Sequence, residues 1–261
     1  MSISCIQNVG QFGNQLFPTT LANLAAHKHN IYVPMYQNKL LKFRKCKVEK
    51  PDESITEEVC TANPMSDKHK NKNIKIKRGY YQDGSYFNPY RNIIKREIFD
   101  LPEIKKNTKD IVLHLRMDGF NHEGHNSHVI HPDWYIGILE KEEFEKVYIV
   151  MATKSGRVWK KQEPHKKRYI DRFSKYNYEI ISNDEYTDFN FIRSFDKIIS
   201  SNSTFSWWAS FCSEASKIYM PQYFEGKKSN LTKIGDESIV VKENYKYINV
   251  ENMETVGITF N

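Results

Sequence analysis

Five short apolar runs in the second part of the chain, each followed by polar residues, constrain the fold more than any other feature. They are Ile111-Val112-Leu113-His114-Leu115, Val147-Tyr148-Ile149-Val150-Met151, Tyr178-Glu179-Ile180-Ile181, Lys197-Ile198-Ile199-Ser200 and Lys217-Ile218-Tyr219-Met220. Helical patterns over 133–143, 165–176, 185–195 and 204–214 fall between them. Near-continuous apolar strands that alternate with helices predict a parallel sheet covered on both faces. A sheet of that kind binds ligands beyond the carboxyl ends of its strands.

The first part of the chain reads differently. A turn at Gly10-Gln11-Phe12-Gly13-Asn14 precedes a helical spacing of Phe17, Leu21, Leu24 and Ala25, with Pro18 placed where a first helical turn accepts proline. Asn30-Ile31-Tyr32-Val33-Pro34 then reads as a strand, which makes a β–turn–α–β unit. Residues 45–77 are rich in Lys, Glu, Asn and Asp, carry Pro51 and Pro64 and show weak periodicity, so a variable surface segment or a small-domain insertion is expected there. The stretch from Gly79 to Phe87 leads into a predicted helix from Tyr90 to Phe99. The change of texture divides the 261 residues into an N-terminal α/β domain, 1–107, and a C-terminal Rossmann-like domain, 108–261.

Composition narrows the partners. Hydrophobic residues are 39% and charged residues 27%, the chemistry of a folded chain rather than a disordered one. A formal net charge of +7 favours an anionic ligand. The basic residues are scattered apart from Lys68 to Arg78 and Lys160 to Arg172, which read as solvated faces, so a small anionic substrate is expected and nucleic acid is not. Cys5, Cys46, Cys60 and Cys212 show no paired spacing, and no run of 18 apolar residues or basic leader occurs. A cytoplasmic chain with no membrane span is the expectation.

Four constellations could carry chemistry. Arg116 follows the strand that holds His114, where a guanidinium can clamp a diphosphate; the alternative is an Arg116–Asp118 ion pair beside a core histidine. Ser201-Asn202-Ser203-Thr204-Phe205-Ser206-Trp207-Trp208 places hydroxyls at a helix start, where free N–H groups favour an anion; the alternative is a simple N-cap over core tryptophans. The glycine turn before the first helix is neither a dinucleotide fingerprint nor a Walker loop. His122, His125, His128 and His131 recur at intervals of three but match no zinc spacing, so their loop is read as carrying an acid/base group, Glu123 or Asp118. The chain has no Asp-x-Asp triplet, so a diphosphate would be neutralised by Arg116, helix N-termini and hydroxyls, without a metal cofactor.

In this order the segments resemble the α-1,2-fucosyltransferase family, glycosyltransferase family 11. Gly10 to Phe17 is similar to its Gly-x-Gly-Asn-Gln turn–helix, Gly79 to Phe87 to its Gly-Tyr-Trp/Phe-Gln stretch, and His114 to Phe120 to its His-x-Arg-Arg-Gly-Asp-Tyr motif. Asn202 to Trp208 matches its Asn-Ser-Ser/Thr-Phe-Ser-Trp-Trp motif residue for residue. The resemblance spans about residues 8–224. It implies an α/β, GT-B-like fold of two Rossmann-like halves, with residues 1–107 on the acceptor side and a parallel-sheet C-terminal donor domain.

The resemblance further implies a nucleotide-sugar donor, first GDP-fucose, a glycan acceptor, inversion and no metal. The implied donor residues are Gly13, Asn14, His114, Arg116, Asn202, Ser203, Thr204, Phe205 and Ser206. Arg116 also falls in the catalytic set with Glu123 and Asp118. Met117 replaces the second arginine of the motif, Asp118-Gly119 reverses its Gly-Asp, and Pro18 replaces a residue usually polar. The altered motif admits another donor such as UDP-xylose, and a non-catalytic nucleotide-sugar or glycan binder is a further alternative.

Overall fold

The computed structural model describes residues 3–5, 12–29, 57–60, 65–70, 72–76, 79–117, 129–152, 166–222, 230–243, 246–248 and 255–256. The chain divides between Glu103 and Ile104 into two units.

In the first unit a three-stranded parallel sheet has the order β1 (Ile3–Cys5), β3 (Asn73–Ile76), β2 (Glu57–Cys60). Two of its strands come from the variable segment 45–77. The four residues Asn73-Ile74-Lys75-Ile76 are enough: Ile74 and Ile76 are buried, and a period of two over so short a run is hidden among lysines. Helix α1 (Phe12–His29) buries Leu16, Phe17, Leu21, Leu24 and Ala25. It starts at Phe12, so Pro18 sits inside the helix, not in its first turn. Proline there removes the bond to the Asn14 carbonyl, while the Thr19 hydroxyl donates to the Gln15 carbonyl at 2.8 Å. Helix α2 (Arg91–Ile93) continues as a π turn, Ile94–Ile98, that buries Ile94 and Ile98. The expected strand from Asn30 to Pro34 lies outside the described residues.

The second unit is built as the apolar runs predict. A six-stranded, all-parallel sheet has the order β10 (Ser238–Val241), β9 (Lys217–Pro221), β8 (Phe195–Ile199), β4 (Asn107–His114), β6 (Val147–Val150), β7 (Tyr178–Ile181). Helices α3 (Pro132–Leu139), α4 (166–171), α5 (Glu185–Arg193) and α6 (Thr204–Phe211) fall between the strands. Ile111, Leu113 and Ile149 join Trp134, Ile138, Tyr169 and Phe173 in one core on the α3–α4 face. Tyr148, one residue before Ile149, meets Phe191 of α5 at 5.4 Å, which shows the alternation of a strand buried on both faces. A small antiparallel sheet joins β5 (Val129–Ile130), β11 (Tyr247–Ile248) and β12 (Thr255–Val256). Among the described residues no helix is long and apolar enough to cross a membrane.

Candidate active site

Strand order locates the site. From β4 the chain winds outward through β6 and β7, then returns to β8 on the other side of β4 and winds outward again through β9 and β10. This is the doubly wound order, and the winding reverses between β4 and β8. Connections leave those two strands in opposite directions, which opens a crevice at their carboxyl ends. Leu113 pairs with Ile199 across this boundary, so residues 114–117 and 200–203 emerge side by side.

The emerging side chains interlock. His114 Nδ1 lies 2.7 Å from Ser201 Oγ. Arg116 Nη1 donates to the Asn202 carbonyl at 3.1 Å, across the strand boundary. Phe205, at the start of α6, packs on the His114 ring with centroids 5.5 Å apart and meets Phe189 of α5 on another side at 6.1 Å. His114 is 8% exposed, so its ring is held almost wholly by protein. Leu115 and Met117 turn into the core, which is where Met117 finds its place.

The hydroxyl-rich turn divides its work. Ser206 is 0% exposed; it accepts from Ser200 Oγ at 2.9 Å and donates to the Ser203 carbonyl at 3.1 Å. It shapes the turn from beneath. Ser203 occupies the N-cap position of α6, yet its hydroxyl does not cap the helix. The Ser203 hydroxyl thus makes no bond to the first turn of α6, and the positive end of a helix dipole favours an anion. Trp207, Trp208 and Phe211 are core: Trp207 stacks on Phe211 at 4.9 Å and meets Trp208 edge-on at 4.9 Å. Burying three large rings anchors α6, and losing one such ring typically costs about 3–5 kcal/mol.

The remaining expected residues fall elsewhere. Gly13 and Asn14 belong to the first unit, in the first turn of α1, where Asn14 Oδ1 accepts from Gln82 Nε2 at 2.9 Å. Gln82 follows Tyr81, whose φ of 49° is in the left-handed region. Asp118, Glu123, His122, His125 and His128 lie outside the described residues. His131 is described: it is the N-cap of α3, its Nδ1 accepting from the Asp133 N–H at 3.1 Å. Burial pushes its pKa below the ordinary value; Arg172 and Lys246 push the same way and Asp133 opposes them. Among the described residues no group of three or more His, Cys, Asp or Glu side chains could hold a metal ion.

Ser200 is the residue that motif reasoning passed over, and Ser201, though part of the hydroxyl-rich stretch, was not among the expected donor residues. Their signal was position, directly at the end of the predicted strand 197–200, rather than residue type. Chemically, the constellation is a guanidinium, an imidazole and a helix start gathered at a switch-point crevice, a set suited to an anionic, oxygen-rich ligand. No protein-family model matches the sequence, and no curated protein matches it.

Proposed function

We propose that the chain is an inverting, metal-independent glycosyltransferase that moves a sugar, first L-fucose from GDP-fucose, to a hydroxyl of a glycan acceptor. The observation that carries this reading is the meeting of His114 and Arg116 from β4 with the Ser201–Ser206 turn after β8, at the reversal of the sheet. That is where a doubly wound sheet receives a nucleotide, and the segments that meet there are two of those that carry the family resemblance, Asn202 to Trp208 being the one matched residue for residue. The finer architecture in this reading is GT-B-like: two Rossmann-like halves, with the first unit on the acceptor side and the second on the donor side.

In the reaction, Glu123 or Asp118 takes the proton of the acceptor hydroxyl as its oxygen attacks the anomeric carbon. The bond from that carbon to the diphosphate oxygen breaks, and the electron pair leaves with the diphosphate. Arg116 and the N–H groups of α6 stabilise that departing charge. Transfer is tested by incubating the full chain with radiolabelled GDP-fucose or UDP-xylose and a panel of galactoside acceptors in EDTA. Acceptor-dependent labelling and release of nucleoside diphosphate supports the proposal. Binding of the donor without any transfer identifies a non-catalytic binder, and a strict metal requirement overturns the metal-independent mechanism.

A further inference from the structure

We infer that Tyr80 and Gln82, in the first unit, form a subsite for a neutral sugar of the acceptor, the Tyr80 ring meeting its C–H face and the Gln82 amide taking one of its hydroxyls. The inference rests on the function proposed above, which gives the first unit to the acceptor, but the binding it predicts is measured without any transfer.

The residue between them carries the strain. Tyr81 has a φ of 49°, which puts a bulky side chain in the left-handed region, and among the described residues it is the one non-glycine residue with a positive φ. Such a conformation is costly and persists only where its surroundings hold it. They hold it from both sides. Gly79 leaves room for the Tyr81 ring, since a Cβ there would lie 3.3 Å from it. The Asp83 N–H donates to the Tyr81 carbonyl at 2.8 Å, which closes a three-residue turn around Gln82. Asp83 Oδ1 accepts from the Ser85 N–H at 2.9 Å, and the buried Phe87 packs edge-on against Phe17 of α1 at 5.5 Å.

The two neighbours of the strained residue are left with open chemistry. Tyr80 is 50% exposed, the most exposed large apolar side chain among the described residues. Gln82 is fixed at one end of its amide, where Nε2 donates to Asn14 Oδ1 at 2.9 Å. At the other end, Oε1 has no hydrogen-bond partner among the described residues and is not one of their enclosed polar atoms, so it is open to solvent.

This pair of groups has a definite preference. An amide carbonyl accepts from a hydroxyl but repels a phosphate oxygen, which has no proton to give. The face of an aromatic ring is electron-rich and disfavours an anion as well. Together they suit a ligand with an apolar face and hydroxyls on its rim, the chemistry of a pyranose. The Cα atoms of residues 80 and 82 can be at most about 7.6 Å apart, a separation that one disaccharide spans. The second unit offers the opposite chemistry, a guanidinium beside a helix start, so the two substrates are sorted by charge.

The test places the full chain on an array of neutral and sulfated oligosaccharides, followed by saturation-transfer titrations with the neutral oligosaccharide that it binds best. The expected result is binding of neutral oligosaccharides, a loss of roughly ten-fold in affinity in Tyr80→Ala and wild-type affinity in Tyr80→Phe, which keeps the ring. Gln82→Leu, which keeps the size but not the amide, is expected to lose a similar factor. GDP affinity and the urea midpoint are expected to stay at wild-type values in Tyr80→Ala. Wild-type sugar affinity in Tyr80→Ala or in Gln82→Leu overturns the inference, as does a chain that binds no oligosaccharide or only sulfated ones. A lowered midpoint in Tyr80→Ala makes the ring structural and overturns it too. A chain that binds neutral oligosaccharides through Tyr80 but neither binds GDP nor transfers a sugar overturns the functional reading instead, and leaves this subsite standing.

Discussion

Arg116 Nη1 donates to the carbonyl of Asn202 at 3.1 Å, so a cation leaving β4 grips the backbone of the turn that follows β8. The bond makes Arg116 both a clasp of the crevice and its fixed positive charge. Arg116→Ala is expected to abolish transfer and to weaken GDP binding by about 2–3 kcal/mol, near a hundred-fold, as for loss of a charged hydrogen-bond donor. Arg116→Lys should fall between the two, because an ammonium keeps the charge but lacks the planar fork that reaches a carbonyl and an anion together. Titration calorimetry with GDP reads both. Wild-type affinity in Arg116→Ala would remove Arg116 from the site.

Ser206 separates support from contact. Its hydroxyl links Ser200 to the Ser203 carbonyl in a fully closed interior. Ser206→Ala should lower stability by about 1–2 kcal/mol, since Ser200 loses its nearer acceptor. In urea the midpoint should drop with an unchanged slope. A midpoint equal to the wild type's would show that Ser200 finds its second acceptor, the Ser201 carbonyl at 3.3 Å, equally good.

The strands of the second unit were legible because a strand buried on both faces must be apolar at nearly every position, as at 111–115 and 147–151. Their order was not, since apolar runs carry no record of which neighbour they pair with. The adjacency of β4 and β8, which brings Arg116 to Asn202 from 86 residues away, appears only in three dimensions. Hydroxyl density from Ser201 to Ser206 marked the turn that the fold brings beside Arg116. It could not distinguish Ser206, whose bonds are internal, from Ser203, whose hydroxyl makes no cap bond to the helix. In the first unit a strand as short as Asn73–Ile76 was hidden by its lysines, and Pro18 pointed to a helix start that lies several residues earlier.

His131 should make stability fall as pH drops through the neutral range. Its bare Nδ1 accepts the Asp133 N–H and caps α3, an arrangement that needs an unprotonated ring. Burial, Arg172 and Lys246 lower its pKa from 6.5, against the pull of Asp133. With the folded value below the unfolded one, the unfolded chain takes up a proton first. The contribution is therefore fully present above 6.5 and is lost as pH falls from there through the folded value. His131→Asn keeps a good capping side chain without the titration. Urea midpoints from pH 5 to pH 8 should slope for the wild type and be flatter for the variant, and parallel curves would discard the argument.

Glu142 should govern a separate, acid loss of stability. Its side chain is 6% exposed; Oε1 takes Lys217 Nζ at 2.8 Å and the Tyr219 hydroxyl, and Oε2 lies 3.4 Å from Lys197 Nζ. Burial works to raise its pKa, but Lys217, Tyr219 and Lys197 outweigh it and hold the carboxyl below its ordinary 4.5. A depressed folded value means stability that is present above 4.5 and lost as pH falls through the folded pKa. Asp196 is held low as well, against burial, by Lys106 and Ser216, and adds to the same window. The Glu142 share is isolated by difference. Glu142→Gln preserves the shape and should cost about 1.5–3 kcal/mol at pH 7, the range for hydrogen bonds to a charged group. The gap between wild type and variant should narrow as the pH is taken below 4.5. A gap that stays constant down to pH 3 would mean that the loss comes from packing around β8 and β9 and not from the charge on Glu142.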